Sequence, residues 1–146
     1  MFFFQLPKVP EWVISRKDFE GIDRTFRERI INKSAFTDSD ISLYKEAIRR
    51  PGALTAAINY YRANVRPLMS RSGGSEMPRG EGGISMPTLF IFGEQDFAII
   101  PETVRDVEKY VSGPYREVRI PESGHWVQNE AVDEVNSALI EFLNSP

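Results

Sequence analysis

The chain has 146 residues, 41% of them hydrophobic, a formal net charge of −3, one histidine and no cysteine. That length suits one compact domain or one half of a two-part domain of about 250–300 residues. The charge gives no electrostatic case for a nucleic-acid partner, missing cysteine rules out disulfides and thiolate metal sites, and a lone histidine argues against zinc.

In chain order, Met1 to Pro7 is apolar but short, with no basic residue ahead of it, so it fails both as a signal peptide and as a membrane span. A cytoplasmic location is favoured over secretion, and an anchor upstream of residue 1 is left open. Residues 1–14, with Pro7 and Pro10, fit an extended opening segment packed on something apolar. Phe19, Ile22, Phe26 and Ile30 then recur at helical spacing. Thr37-Asp38-Ser39-Asp40 offers an N-cap and first-turn acids for a helix to about Ile48, ended by Pro51-Gly52. Residues 53–65, rich in alanine, read as one more helix.

Residues 70–85 shift to Gly, Ser, Arg and Glu and are expected to be a flexible connector. After it, Pro87 to Gly93 is a short apolar run of the kind found in a strand buried on both faces of a parallel sheet. Pro101 suits the first position of a helix carrying Val104, Val107 and Val111, Tyr115 to Ile120 reads as a second strand, and residues 132–143 as an amphipathic helix. The expected architecture is α/β: a βαβα core over 86–146, preceded by a helical subdomain over 1–69. Two strands do not make a self-sufficient parallel sheet, because their outer edges call for neighbours.

In parallel α/β sheets functional groups gather in loops at the carboxyl ends of strands, and both Asp96 and Ser123-Gly124-His125 follow a predicted strand. An aspartate there can hold one imidazole nitrogen, fixing the tautomer, while the other nitrogen takes a proton from water or a nucleophile. Gly124 would permit the tight turn that aims His125 into a cleft. The plainer alternative makes His125 a hydrogen-bonded loop residue and Asp96 a turn residue. Gly83-Ile84-Ser85-Met86-Pro87 lacks the second glycine of a nucleophile elbow and precedes a strand instead of following one, and Gly21-Ile22-Asp23-Arg24-Thr25 lies inside a helical pattern. The nucleophile is therefore expected outside this sequence.

Residues 86–144, with Gly93-Glu94-Gln95-Asp96-Phe97 and Gly124-His125-Trp126, resemble the C-terminal part of α/β-hydrolase fold enzymes. Phe2 to Pro7 together with Ala57-Ile58-Asn59-Tyr60-Tyr61-Arg62 resembles the lid of the soluble epoxide hydrolase branch. That resemblance implies a C-terminal α/β-hydrolase portion under a helical lid and an aspartate nucleophile that opens an epoxide to an ester. It implies Asp96 as the acid behind the base His125, which activates water, and Tyr61 as a tyrosine that protonates the ring oxygen. The second lid tyrosine would precede Phe2, and Tyr60 could exchange roles with Tyr61. Without the resemblance, Tyr61 reads as core packing in a stripe with Leu54, Ile58 and Val65. Phe97 and Trp126 are candidates for the apolar wall of a substrate pocket or for ordinary core.

The function expected is hydration of a small apolar epoxide to a vicinal diol, with no cofactor and no metal, and with little or no activity in the 146 residues alone. A haloalkane or haloacid dehalogenase shares the ester mechanism and is the sibling alternative; a non-catalytic fragment or binding module is the other. The sequence does not fix the oligomeric state.

Overall fold

The computed structural model describes residues 2–70 and 83–144. These fall into two compact units, one of residues 2–26 and 37–70, the other of residues 27–36 and 83–144. The chain between the first two helices thus belongs with the sheet-bearing unit, a division that the 1–69 boundary read from sequence does not contain.

The first unit opens with a 3-10 turn, Phe2–Gln5, in place of the extended segment expected there. Arg62 explains the turn. Its guanidinium donates to the carbonyls of Phe4 (2.8 Å) and Leu6 (2.9 Å) and to the Glu11 carboxylate (2.7 and 3.1 Å), drawing the backbone in around one side chain. The expected apolar partner of this segment is Tyr61, on which Phe4 stacks with ring centroids 4.8 Å apart.

Helix α1, Val9–Glu28, is two helical pieces, because the backbone departs from helical angles at Arg16–Phe19 and Lys17, Asp18 and Phe19 take positive φ of 48°, 56° and 60°. Three successive non-glycine residues there are costly, roughly 1–2 kcal/mol each. Lys45 bridges Asp18 (3.3 Å) and Asp23 (2.7 Å) across the break, and Arg49 also pairs with Asp18. Ile30, expected to continue the helical stripe, lies past the helix end and is 2% exposed in the turn that follows.

Helix α2, Asp38–Arg49, starts as its sequence predicts. The Thr37 hydroxyl accepts from the Asp40 amide (3.2 Å) and Asp40 accepts from the Thr37 amide (2.8 Å), a complete capping box. Helix α3, Ala53–Ser70, extends further than predicted and takes in the first residue of the expected connector. Residues 71–82 of that connector lie outside the described residues, and at its far end Ile84 forms a parallel bridge with Val111. None of the described helices is long and apolar enough to cross a membrane.

In the second unit, strand β1, Thr88–Gly93, pairs in parallel with β2, Tyr115–Ile120, from Thr88 opposite Tyr115 to Gly93 opposite Ile120. The crossover departs from expectation. Instead of one α-helix it makes two 3-10 turns, Pro101–Val104 and Val107–Tyr110. Val104 and Val107 stand three apart, the repeat of a 3-10 turn, and the Val104 carbonyl is taken by Arg119 of β2 (3.0 Å). After β2 come the short helix α4, Val127–Glu130, and α5, Val132–Asn144. Ala131 and Val135 bury against Ile120, with Ile91, Val118 and Val127 packed around them.

Among the described residues the sheet has these two strands, so burial on both faces, expected for β1, is reached only at Phe92 and Gly93. Leu89, Phe90 and Ile91 are half-buried. At the carboxyl ends of the strands the two following loops are laced together. The Glu94 amide donates to the Ile120 carbonyl (3.0 Å), the Gln95 amide to Ser123 (2.9 Å), and the Gln95 side chain to Pro121 (2.8 Å). The lacing needs Gly93, because a Cβ there would collide with the carbonyl oxygens of Gly124 and Ser123. Gly93→Ala is expected to lower stability by about 1–3 kcal/mol, read as a fall in urea midpoint; an unchanged midpoint would show that the loops can part without cost.

Candidate active site

The laced loops put Asp96 and His125 side by side, 29 residues apart in sequence. Nδ1 of His125 lies 2.9 Å from Oδ2 and 3.0 Å from Oδ1 of Asp96. Oδ1 also accepts the amides of Ala98 (2.7 Å) and Ile99 (2.9 Å), so the loop after β1 folds around its own carboxylate. Asp96 is 9% exposed. Its burial works to raise the carboxyl pKa, but the Ile99 amide, the His125 ring and the Ala98 amide outweigh that and hold it below the ordinary value.

Hydrogen bonding to a carboxylate calls for a proton on Nδ1, which leaves Nε2 with its lone pair. Among the described residues no group hydrogen-bonds to Nε2, and the His125 side chain is 34% exposed. The arrangement can therefore take a proton from water at Nε2 while Asp96 stabilises the imidazolium that results.

Two aromatic rings flank this imidazole. Trp126 meets it edge-on at 5.0 Å between centroids, Phe97 lies 5.5 Å away, and Phe97 and Trp126 are 5.8 Å apart. Phe36 stands against Trp126 at 6.0 Å, and the Arg29 guanidinium lies 5.2 Å from the Phe97 ring centroid. Phe97 remains 41% exposed, more than a core residue would be.

Gly124 does not make the tight turn inferred from sequence, but it runs close against neighbouring side chains. Its φ is not among the positive ones; a Cβ would lie 3.0 Å from a Glu130 carboxylate oxygen and 3.3 Å from Ile31. Ser123 is fully buried and its hydroxyl is without a partner among the described residues. Ser85, the near miss for a nucleophile, is exposed and precedes β1.

No family model matches the chain. Epoxide hydrolase 3 of Mus musculus is 33% identical over 144 residues, which is 98% of this chain and 37% of the relative. AB hydrolase superfamily protein YfhM of Bacillus subtilis (strain 168) is 30% identical over 144 residues, 98% of this chain and 46% of the relative. The crystal structure of a mutant epoxide hydrolase from Bacillus megaterium, complexed with its product, matches with a TM-score of 0.80 at 26% identity, covering 99% of this chain and 50% of that chain. Its relatives are epoxide hydrolases and AB hydrolase superfamily proteins. The fold is that of the C-terminal part of an α/β hydrolase. The chain spans less than half the length of the two curated relatives named.

Of the candidate residues read from the sequence, the structure brings Asp96, His125, Phe97 and Trp126 into one cluster. Tyr60 and Tyr61 lie on α3 in the other unit. Tyr61 is exposed (36%) and flanked by Phe4 and by Tyr60, whose ring meets it edge-on at 5.5 Å; Tyr60 is 69% exposed. Beside this cluster lies a residue that the sequence does not announce, the buried Glu130, which accepts from the Trp126 amide. Local periodicity gives no signal for it: Glu130 lies five residues before Val135, off the helical stripe that Val127, Ala131 and Val135 form.

The depressed carboxyl of Asp96 has a sign that can be worked out. Its folded pKa lies below the unfolded value of ~3.9, so its contribution to stability is complete above that value and is lost as pH falls through the lower folded pKa. Unfolding measured down from pH 5 should show acid destabilisation in the unsubstituted chain that is shallower in Asp96→Asn; parallel profiles would mean that the carboxylate is not held as described.

Proposed function

We propose that this chain supplies the base, its orienting acid and the lid tyrosine of an epoxide hydrolase, while an aspartate nucleophile comes from sequence outside these 146 residues. The observation that carries the reading is the buried Asp96 carboxylate on Nδ1 of His125, with Nε2 left open beside an apolar wall. The product bound to the Bacillus megaterium relative, a naphthyloxy-propane-1,2-diol, supports a vicinal diol as the product class.

In the reaction, the nucleophile's carboxylate attacks one epoxide carbon, the carbon–oxygen bond breaks, and the ring oxygen takes the phenol proton of Tyr61, leaving a hydroxy ester. A phenol of pKa ~10 stays protonated at neutral pH and suits this donation. Nε2 of His125 then removes a proton from water as its oxygen attacks the ester carbonyl. Collapse of that intermediate expels the second alkoxide, which takes the proton from the imidazolium, and the proton left on the freed carboxyl group returns through solvent to the Tyr61 phenolate, restoring both the nucleophile and the phenol. Asp96 holds the ring in the required tautomer throughout, Phe97 and Trp126 wall the apolar part of the substrate, and Tyr60 flanks the donor.

The reading is tested with a protein that carries the upstream half and with the 146-residue chain alone. The longer protein is expected to hydrate epoxides, and its His125→Gln variant to retain the covalent ester and turn over about 10²–10⁴-fold more slowly. The 146-residue chain is expected to give no turnover above buffer, since base and acid have no nucleophile to serve. Epoxide turnover by the short chain, or halide release without epoxide hydration by the longer one, would contradict the proposal.

A further inference from the structure

Glu130 is 6% exposed and, among the described residues, no basic side chain pairs with it. A buried carboxylate without a cation is costly unless hydrogen bonds replace its water. Three backbone amides do so. Oε2 accepts from Ile31 (2.6 Å) and Asn32 (3.2 Å), and Oε1 accepts from Trp126 (3.3 Å), the residue next to the imidazole. The Glu130 carbonyl also accepts from the Asn32 side chain (2.9 Å). One side chain therefore joins two stretches of backbone almost a hundred residues apart.

The stretch on the far side is the strap 27–36, the last two residues of α1 and the chain that leads toward α2, which belongs to the same unit as His125. It is closed on itself by Lys33, whose ammonium donates to the carbonyls of Arg27 (3.1 Å), Glu28 (2.9 Å) and Ile30 (2.7 Å). Two of its side chains reach the rings that flank the imidazole, Arg29 over Phe97 and Phe36 against Trp126. Gly124, the residue before His125, passes so close to Glu130 and Ile31 that a methyl group would crowd them.

We propose that Glu130 is a positioning residue for His125: its carboxylate ties the histidine loop to the strap, and that tie keeps Nδ1 on Asp96. The proposal rests on the reading of Asp96 and His125 as the working pair. Its chemistry requires an acceptor at both ends of the side chain. Both carboxylate oxygens face amide N–H groups, so a glutamine of the same size must turn its own NH₂ toward one of those donors. A side chain kept only for packing would tolerate that exchange.

The single histidine makes the test direct, because every imidazole signal of the full 146-residue chain comes from His125. The ratio of Nδ1–H to Nε2–H tautomer in the neutral ring is read from ring ¹⁵N spectra of the unsubstituted chain, Glu130→Gln and Asn32→Ala. The unsubstituted chain is expected to hold its proton on Nδ1. Glu130→Gln is expected to lower the ratio by about fivefold, the weight of one ordinary hydrogen bond. Asn32→Ala, which cuts the strap's side-chain bond to the Glu130 carbonyl and the bonds that Ser34 donates to the Asn32 side chain but leaves the carboxylate its three amides, should move it less in the same direction and decides the matter if Glu130→Gln does not fold. An unchanged ratio in folded Glu130→Gln, or in Asn32→Ala where the other variant fails to fold, overturns the proposal. A proton on Nε2 in the unsubstituted chain overturns the pairing itself, and the proposal with it.

Discussion

A carboxylate buried at the carboxyl end of a parallel sheet must be solvated by the protein, and Asp96 is solvated by two amides of its own loop and by one imidazole. That constraint organises what surrounds it. The amides of Ala98 and Ile99 are supplied by the turn after β1, while the imidazole has to come from the loop after β2. The two loops must therefore lie within hydrogen-bond reach, and the absence of a side chain at Gly93 lets them. The bond also decides chemistry: it assigns Nδ1 as donor and leaves the exposed edge of the ring as a base.

Fixing one ring between two loops takes more than one contact. The histidine loop is gripped from the β1 side by Gln95, whose amide and side chain bind Ser123 and Pro121. From the other side it is gripped by Glu130. Rings of Phe97 and Trp126 flank the imidazole and Phe36 backs Trp126, giving the imidazole an apolar setting in which electrostatic interactions are stronger than in water. Arg62 does comparable service in the helical unit, gathering Phe4, Leu6 and Glu11 around one guanidinium and setting Phe4 on Tyr61.

Local signals in the sequence had local consequences that could be read. The Thr37 cap, the two strands and the closing helix follow from short-range chemistry, and the spacing of Asp96 and His125 after successive strands already suggested their meeting. What escaped were effects of distant partners. Periodicity shows a helix through Phe19, but ion pairs from Lys45 and Arg49 hold an irregular break there. Valines at 104, 107 and 111 suggest an α-helix, whereas Arg119 withdraws a carbonyl from it. Glu130 looks like one more surface acid until residues 31 and 32, far upstream, are seen to donate to it. The strap went unread for the same reason, since nothing within 27–36 announces that it packs with the sheet.

The account stands or falls on which ring nitrogen carries the proton and what holds it there. The most direct measurement is the proton spectrum of the chain, in which a single slowly exchanging imidazole N–H, coupled to ring ¹⁵N at Nδ1, is predicted and should vanish in Asp96→Asn. An imidazole proton that exchanges freely with water in the unsubstituted chain, or one that survives the substitution unchanged, would contradict it.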